Sequence, residues 1–272
     1  MSTRPQAPAP LPHPVVDNHC HLDMGIGGDV LSVEEALAAA AAVGVPRIVQ
    51  IGCDLEGARW AVQAATAHAA VVAGVALHPN EAPRVDLDTQ FREIEQLAAD
   101  PAVRAVGETG LDYFRTGPEG RDVQQESFRR HIELAKRLGK TLVIHDRDSH
   151  DDVLRIVDEH GAPERVVMHC FSGDADFARA CLDRGFWLSF AGTVTFKNAQ
   201  PLRDALVLAP RDKVLVETDA PYLTPMPYRG RPNASYLVPL TMRFMAETRG
   251  DDLEELCAAV ETNTFEAFGG AW

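Results

Sequence analysis

Short apolar segments alternate along the chain with longer segments of helical periodicity, which is the order typical of repeated parallel β-α units. Eight of the short segments have the composition of strands buried on both faces. They are Val15–His19, Arg47–Ile51, Val71–Val75, Ala105–Glu108, Thr141–His145, Arg165–His169, Phe186–Phe190 and Val214–Asp219. Because a closed ring has no exposed edge, eight such strands favour closure into a barrel. The sequence therefore predicts an α/β fold, a single (β/α)8 TIM barrel.

The segments between these strands carry signals for the beginning and end of helices. Ser32 and Glu35 form a capping box in front of an alanine-rich segment. The helix predicted over Asp122–Leu138 ends before Gly139, and Asp174 is the N-cap expected for the helix after the sixth strand. The proline-rich connection between residues 220 and 233 has the composition of an ordered active-site loop.

Length and composition favour one domain. A chain of 272 residues with 46% hydrophobic residues is near the usual size for one barrel. Residues 1–14 contain several prolines and lack the apolar core of a signal peptide, so we predict a disordered tail, a barrel domain over 15–272 and a cytoplasmic location. No segment is apolar enough to predict a membrane span. Five cysteines without a CxxC motif indicate reduced thiols.

The charge of the chain opposes nonspecific attraction to nucleic acid. Its 40 acidic and 26 basic residues give a formal net charge of −14. A polyanionic substrate would therefore need local positive charge. Bound divalent cations can supply part of it, and four basic residues near the predicted strand ends can supply more: Arg147, Lys197, Arg229 and Arg231.

Six potential metal ligands lie at or just after the ends of predicted strands: His19, His21, Glu108, His145, His169 and Asp219. Alternate residues of a strand point the same way, so the two histidines of the first strand end can reach one metal. A carboxylate at position 108 can bridge two cations, and Asp219 can act as general base. The structural alternatives are a helix cap or rim residue at Glu108 and a turn residue at Asp219.

Other residues predict substrate contacts. His78 and Arg147, near the third and fifth strand ends, are the candidates for contacting a phosphate group, although each is also compatible with an ordinary surface role. Neutral imidazoles suit zinc, manganese or iron, whereas magnesium favours more oxygen ligands, so the ligand types leave the metal open.

Together these segments resemble the TatD family of metal-dependent deoxyribonucleases, over nearly the whole chain beyond the tail. The matching segments are Asp17–Leu22, Leu77–Pro79, Gly107–Tyr113, Ile144–Asp148, His169–Gly173, Glu217–Leu223 and Pro227–Gly230. The chain departs from the family pattern at Asn80, where a histidine is usual, and at Asn233-Ala234-Ser235, where an Asn-Glu-Pro element is usual. Both departures bear on substrate preference rather than on the six ligands.

The resemblance implies a TIM barrel of the metallohydrolase superfamily that cleaves phosphodiester bonds in DNA, at single-stranded ends, with water activated by two divalent ions of zinc, magnesium or manganese. By position, His19, His21, Glu108 and Asp219 would hold the first ion, and Glu108, His145 and His169 the second. The sequence indicates no obligate protein partner. Two other hypotheses remain open: a barrel hydrolase acting on a small ester, lactone, amide or phosphoester, and a metal-binding protein without activity.

Overall fold

The computed structural model describes residues 4–272, in which strands and helices alternate from the first strand to the eighth and two successive helices follow. The strands are β1 Val16–Cys20, β2 Arg47–Gly52, β3 Val71–Val75, β4 Val103–Asp112, β5 Thr141–Arg147, β6 Val166–Met168, β7 Trp187–Phe190 and β8 Val214–Val216. The helices are α1 Val33–Ala41, α2 Leu55–Ala67, α3 Leu87–Ala98, α4 Pro118–Leu138, α5 His150–His160, α6 Ala175–Leu182, α7 Gln200–Leu208, α8 Val238–Arg249 and α9 Leu253–Ala267. The strands form one sheet in chain order, which confirms the predicted (β/α)8 class.

The contacts of the chain divide it into two units. The first unit contains residues 4–50 and Gly173–Glu266, with β1, β7 and β8. In it β1 pairs in parallel with the beginning of β2, β7 pairs in parallel with β8, and Cys20 forms an isolated parallel bridge with Ala220. The end of β1 and the segment after β8 are therefore held side by side within this unit.

The second unit contains Ile51–Ser172 and Ala267–Trp272, and its strands β3 to β6 pair in parallel. Strand β4 extends to Asp112, beyond the predicted end at Glu108, and its last residue pairs with Arg147 of β5. The two strands approach so closely at Gly110, where φ is 138°, that a Cβ atom would lie 2.0 Å from the carbonyl oxygen of His145. Glycine at this position is therefore required by the strand pairing.

Three helix signals read from the sequence are confirmed. Ser32 and Glu35 form the capping box of α1, and Gly139 ends α4 in the left-handed conformation with φ of 62°. Asp174 accepts hydrogen bonds from the first backbone amides of α6. These contacts satisfy helix-end groups that would otherwise lack partners.

Residues 4–14, which belong to the predicted tail, make several contacts with the first unit. Arg4 forms an ion pair with Asp29, and the hydroxyl of Tyr236 donates to the carbonyl of Pro5 at 2.7 Å. The Leu11 amide donates to a carbonyl of the first unit at 3.0 Å. Proline carbonyls accept hydrogen bonds although prolines lack an amide hydrogen, so this segment is held by donors from distant parts of the first unit. Residues 1–3 of the predicted tail lie outside the described residues.

None of the helices in residues 4–272 combines the length and the apolar character needed to cross a membrane.

The buried side chain of His131 connects α4 to the segment after β3. Its Nε2 atom accepts a hydrogen bond from the Leu77 amide at 3.2 Å, and its Nδ1 atom donates to the Ser127 carbonyl at 2.7 Å. A neutral imidazole makes this pair of bonds, because one ring nitrogen accepts and the other donates. Burial accordingly lowers the pKa of His131 to about 4.

We predict that His131→Gln reduces the dependence of stability on pH. Since the folded pKa lies below the ordinary value of 6.5, the unfolded chain takes up the proton first, and the contribution of neutral His131 is lost as pH falls from 6.5 towards 4. In the unsubstituted protein, acidification from pH 7 to pH 5 should therefore lower the free energy of unfolding by about 2 kcal/mol through His131. Urea unfolding of both proteins at the two pH values measures this difference.

The control for this measurement is His68→Gln, a partly exposed histidine in the same unit. It should lose as much stability on acidification as the unsubstituted protein. An equal loss in the His131→Gln protein would show that His131 is not the residue responsible.

Candidate functional site

A carboxylate surrounded by imidazoles lies at the carboxyl ends of the strands in the second unit. We name Glu108, His78, His145 and His169 the Glu108 cluster. The Oε2 atom of Glu108 lies 3.1 Å from Nδ1 of His145, 3.1 Å from Nε2 of His169 and 3.8 Å from Nε2 of His78. Glu108 and His169 are buried. One carboxylate oxygen of β4 thus faces three ring nitrogens, which come from the ends of β3, β5 and β6.

The second oxygen of Glu108 has a partner that the sequence analysis did not identify as a site residue. The thiol of Cys53, just after β2, donates to Oε1 of Glu108 at 3.3 Å. Cysteine is a weak donor, so this contact orients the carboxylate without neutralising it. The sequence does contain a signal for Cys53, because this residue directly follows an apolar strand, as the predicted ligands do.

His145 lies between two carboxylates. Its Nδ1 atom faces Glu108, and its Nε2 atom lies 3.4 Å from Oδ2 of Asp112 at the end of β4. Burial opposes the charged form of the ring, yet Asp112 and Glu108 together raise the pKa of His145 above its ordinary value. A carboxylate behind a histidine is the usual means of fixing the orientation of a metal-binding imidazole.

Asp112 is itself held by several donors. Its Oδ1 atom accepts from the backbone amides of Phe114 and Arg115, and its Oδ2 atom accepts from the side-chain amide of Asn80 at 2.9 Å. Although burial favours the neutral acid, contact with His145 and these hydrogen bonds keep the pKa of Asp112 below its ordinary value. Asp112 therefore remains a carboxylate and connects His145 to the loop after β4.

His78, predicted to contact phosphate, belongs to the Glu108 cluster and is neutral. Burial lowers its pKa to about 3, against the opposite effect of Glu108. Its Nδ1 atom accepts a hydrogen bond from the Asn80 amide at 3.0 Å, so the neutral ring carries its hydrogen on Nε2. That N–H group points towards Glu108 and is available as a donor.

A second group of potential ligands lies in the first unit, and we name His19, His21 and Asp219 the His19 cluster. The Oδ1 atom of Asp219 lies 3.3 Å from Nε2 of His21 and 3.8 Å from Nε2 of His19. The two rings meet edge to face with centroids 5.2 Å apart. Both histidines are buried, whereas the Asp219 side chain is 16% exposed. The spacing of two residues in the first strand thus brings both rings to one carboxylate.

Backbone pairing positions Asp219. Its amide donates to the His19 carbonyl at 2.9 Å, and the His21 amide donates to the Ala220 carbonyl at 2.8 Å. Asp219 adopts the left-handed conformation with φ of 54°, which aspartate tolerates better than most residues other than glycine. The turn after β8 therefore directs this carboxylate to the end of β1.

A network of buried hydrogen bonds joins the strands that carry the His19 cluster. Asp17 accepts from the backbone amide of Thr218 at 2.9 Å and from its hydroxyl at 2.6 Å. Asn18 donates to Ser189, whose hydroxyl donates to Glu217 at 2.5 Å. Burial raises the pKa of Asp17 to about 6, although the bonds to the network oppose this change. These bonds connect β1, β7 and the end of β8, and they hold the strands that carry the cluster.

Arg147, the second residue predicted to contact phosphate, lies at the end of β5. Its guanidinium carbon is 4.0 Å from the ring centroid of Phe114. The backbone carbonyl of Arg147 accepts from the Tyr113 amide at 2.9 Å, which joins the end of β5 to the loop after β4. Arg147 is thus placed in the same unit as the Glu108 cluster.

The donors of the Glu108 cluster are suited to a divalent metal ion. The Oε2 atom of Glu108 lies 3.1 Å from a ring nitrogen of His145 and 3.1 Å from a ring nitrogen of His169. Imidazole nitrogen together with carboxylate oxygen is a donor set that zinc and manganese accept. Both ring nitrogens of His78 are occupied, since Nδ1 accepts a hydrogen bond and Nε2 carries the hydrogen. The metal ligands that this cluster can supply are therefore Glu108, His145 and His169.

The chain is similar to one family over almost its whole length. The family described as TatD related DNase matches residues 16–269. An uncharacterized metal-dependent hydrolase, TatD, from Mycobacterium tuberculosis is 45% identical over 95% of this chain and 99% of the relative. The uncharacterized metal-dependent hydrolase YcfH from Escherichia coli is 40% identical over 92% and 94% of the two chains. The crystal structure of the TatD homolog YjjV from Escherichia coli has a TM-score of 0.87 at 28% identity, over 94% and 98%.

We predict that Glu108→Gln lowers metal content and turnover more than His21→Ala. The glutamine removes the negative charge that faces three imidazoles, whereas the alanine removes one of three ligands from the His19 cluster. Metal bound per chain, measured after loading and desalting, should fall together with the rate. His68→Ala, which lies outside both clusters, is the control. A Glu108→Gln protein with full metal content and full activity would contradict this prediction.

Proposed function

Because the chain belongs to the TatD family of metal-dependent hydrolases, we propose that it hydrolyses phosphodiester bonds in DNA at a centre of two divalent metal ions. The observation that carries this proposal is the environment of Glu108, a buried carboxylate that faces imidazoles from three strand ends. In a (β/α)8 fold the active site is formed at the carboxyl ends of the strands, and the six predicted ligands are expected to contribute to it there.

In this proposal each cluster supplies ligands to one ion, and Glu108 serves both. His19, His21 and Asp219, whose polar atoms lie close together, would hold the first ion, and His145 and His169, which both face Glu108, would hold the second. When bound, two such ions polarise a phosphate group and lower the pKa of water. Zinc and manganese suit the imidazole-rich ligand set, and magnesium is a third candidate.

The side chains of the protein supply the remaining steps. Asp219 is the most exposed member of the His19 cluster, so its carboxylate is accessible to accept a proton from the attacking water. His78 presents a neutral N–H group that can donate to a nonbridging phosphate oxygen. Arg147 adds a positive charge at the end of β5 that can offset charge on the transferred phosphate.

DNA is favoured over a small neutral ester because an arginine, Arg147, lies at a strand end of an acidic chain. Among residues 4–272, Arg147 has no carboxylate within ion-pair distance. Arginines on the helices, such as Arg130 and Arg155, are paired with acidic neighbours instead. An unneutralised arginine near a cluster of metal-binding groups is suited to an anionic substrate.

We predict that Asp219→Asn mainly lowers kcat, on the order of 100-fold, because the amide cannot accept the proton of water. KM should change less, and some loss of bound metal is expected. Steady-state rates measured at matched metal content separate these effects. Asp176→Asn, on the exposed surface of α6, is the matched control. An unchanged kcat with a raised KM would instead make Asp219 a residue that positions the substrate.

We predict metal-dependent cleavage of DNA with a preference for single-stranded ends, because the net charge of −14 disfavours tracking along duplex DNA. The protein is stripped of metal, reloaded separately with zinc, manganese, magnesium and cobalt, and tested at fixed salt on end-labelled single- and double-stranded DNA. RNA and a panel of small esters, lactones and amides are tested in parallel. Weak cleavage of RNA is compatible with this site, since a metal centre recognises phosphate more than the base.

Asp219→Ala, prepared in the same way, controls for contaminating nuclease. If DNA stays intact with every metal while an ester, lactone or amide is turned over rapidly, the protein is a small-molecule hydrolase of the same family. Cleavage that persists in the Asp219→Ala protein would assign the activity to a contaminant.

A further inference from the structure

Exposed apolar side chains are concentrated in the loops that follow strand ends. Within residues 4–272 six large apolar residues are exposed: Ile26, Val30, Phe114, Val207, Tyr222 and Met226. Five of them lie in the loops after β1, β4 and β8, and the sixth, Val207, lies on α7. Phe114 is the most exposed of the six, at 63%. Apolar surface on active-site loops indicates contact with a ligand that has apolar faces.

Phe114 and Arg147 form a stacked pair next to the Glu108 cluster, and we name them the Phe114–Arg147 pair. The guanidinium carbon lies 4.0 Å from the ring centroid, so Arg147 covers one side of the phenyl ring. The exposure of Phe114 leaves ring surface open to solvent. The N–H groups of Arg147 are not used by a carboxylate within residues 4–272. The pair therefore offers an aromatic surface and a cation together.

The backbone of this loop is held in place. The amides of Phe114 and Arg115 donate to Oδ1 of Asp112 at 3.1 and 2.8 Å. The Asn80 side chain donates to Asp112 at 2.9 Å and accepts from the Thr116 hydroxyl at 2.9 Å. These bonds fix the Phe114 backbone on the carboxylate that also contacts His145, so the aromatic ring is presented on an ordered support.

We propose that the Phe114–Arg147 pair is a stacking subsite for an unpaired nucleobase, and that Arg147 also binds a phosphate of the same strand. This inference rests on the proposed function, since it identifies single-stranded DNA as the substrate class of that site. Any base has a π-face, so stacking on Phe114 favours unpaired strands without reading their sequence. Paired bases inside a duplex are already stacked and do not reach this ring.

The test compares Phe114→Ala and Phe114→Trp on two substrates. One is a single-stranded oligonucleotide, and the other has the same backbone with abasic sites at its terminal nucleotides. Phe114→Ala should raise KM for the ordinary oligonucleotide about tenfold, with little change in kcat. The increase should be confined to the substrate that carries bases. Phe114→Trp should retain or lower KM, because tryptophan keeps the stacking surface.

Two further variants separate the members of the pair from general surface effects. Arg147→Ala should raise KM for both oligonucleotides, because the phosphates are present in each. Val207→Ala, the exposed apolar residue on α7, should leave both values unchanged. Two outcomes would contradict the stacking subsite. In one, Phe114→Ala protein has the KM of the unsubstituted protein for the ordinary oligonucleotide. In the other, its KM rises by the same factor for the abasic oligonucleotide.

Binding measurements distinguish failure of this subsite from failure of the proposed function. Fluorescence anisotropy of a labelled single strand is followed with metal-loaded Asp219→Asn protein, alone and combined with Phe114→Ala. DNA that is cleaved normally by Phe114→Ala protein overturns the subsite and leaves the nuclease function intact. DNA that is bound through Phe114 and never cleaved supports the subsite and contradicts the nuclease function. DNA that is neither bound nor cleaved contradicts both.

Discussion

The contact on which the proposed centre depends is the one between the buried Glu108 carboxylate and the imidazoles around it. A carboxylate removed from water is costly unless opposite charge or hydrogen-bond donors compensate. Within the cluster, hydrogen bonds from the His145 ring and from the Cys53 thiol offset part of this cost. The Glu108 cluster therefore has ligands already assembled and a carboxylate whose charge a bound cation would neutralise, which explains why these polar groups occur together at buried strand ends.

Strand β4 relates the chemistry of this cluster to the loop that follows it. Gly110 allows β4 to approach β5 closely enough to continue pairing up to Asp112. Asp112 then has two functions, because one oxygen contacts His145 and the other accepts the amides of Phe114 and Arg115. A change in the position of His145 would therefore be transmitted to the proposed stacking subsite. The proposed metal ligand His145 and the proposed stacking subsite thus share one support, the Asp112 carboxylate.

The sequence predicted the strands well, because buried parallel strands give continuous apolar segments, and the six ligand positions stay a prediction that rests on where those segments end. It missed the extension of β4 to Asp112, since polar residues that continue a strand have no apolar signature. The contacts of residues 4–14 were also missed, because they use the carbonyls of prolines and donors such as Tyr236 that are distant in the chain. The hydrogen position on His78 depends on the Asn80 amide, a contact that no residue pattern specifies.

The charge distribution is compatible with the nucleic-acid substrate that we propose for this acidic chain. A net charge of −14 repels a polyanion at long range, but the repulsion between exposed charges is screened beyond about 8 Å at physiological salt. Within that distance, the nearest groups determine whether a polyanion is attracted. Arg147 has no carboxylate partner among residues 4–272, and Phe114 has an exposed ring. Stacking depends little on salt, whereas binding along duplex phosphates relies on many cations. A surface with few cations and an exposed aromatic ring therefore favours a short unpaired end over an extended duplex.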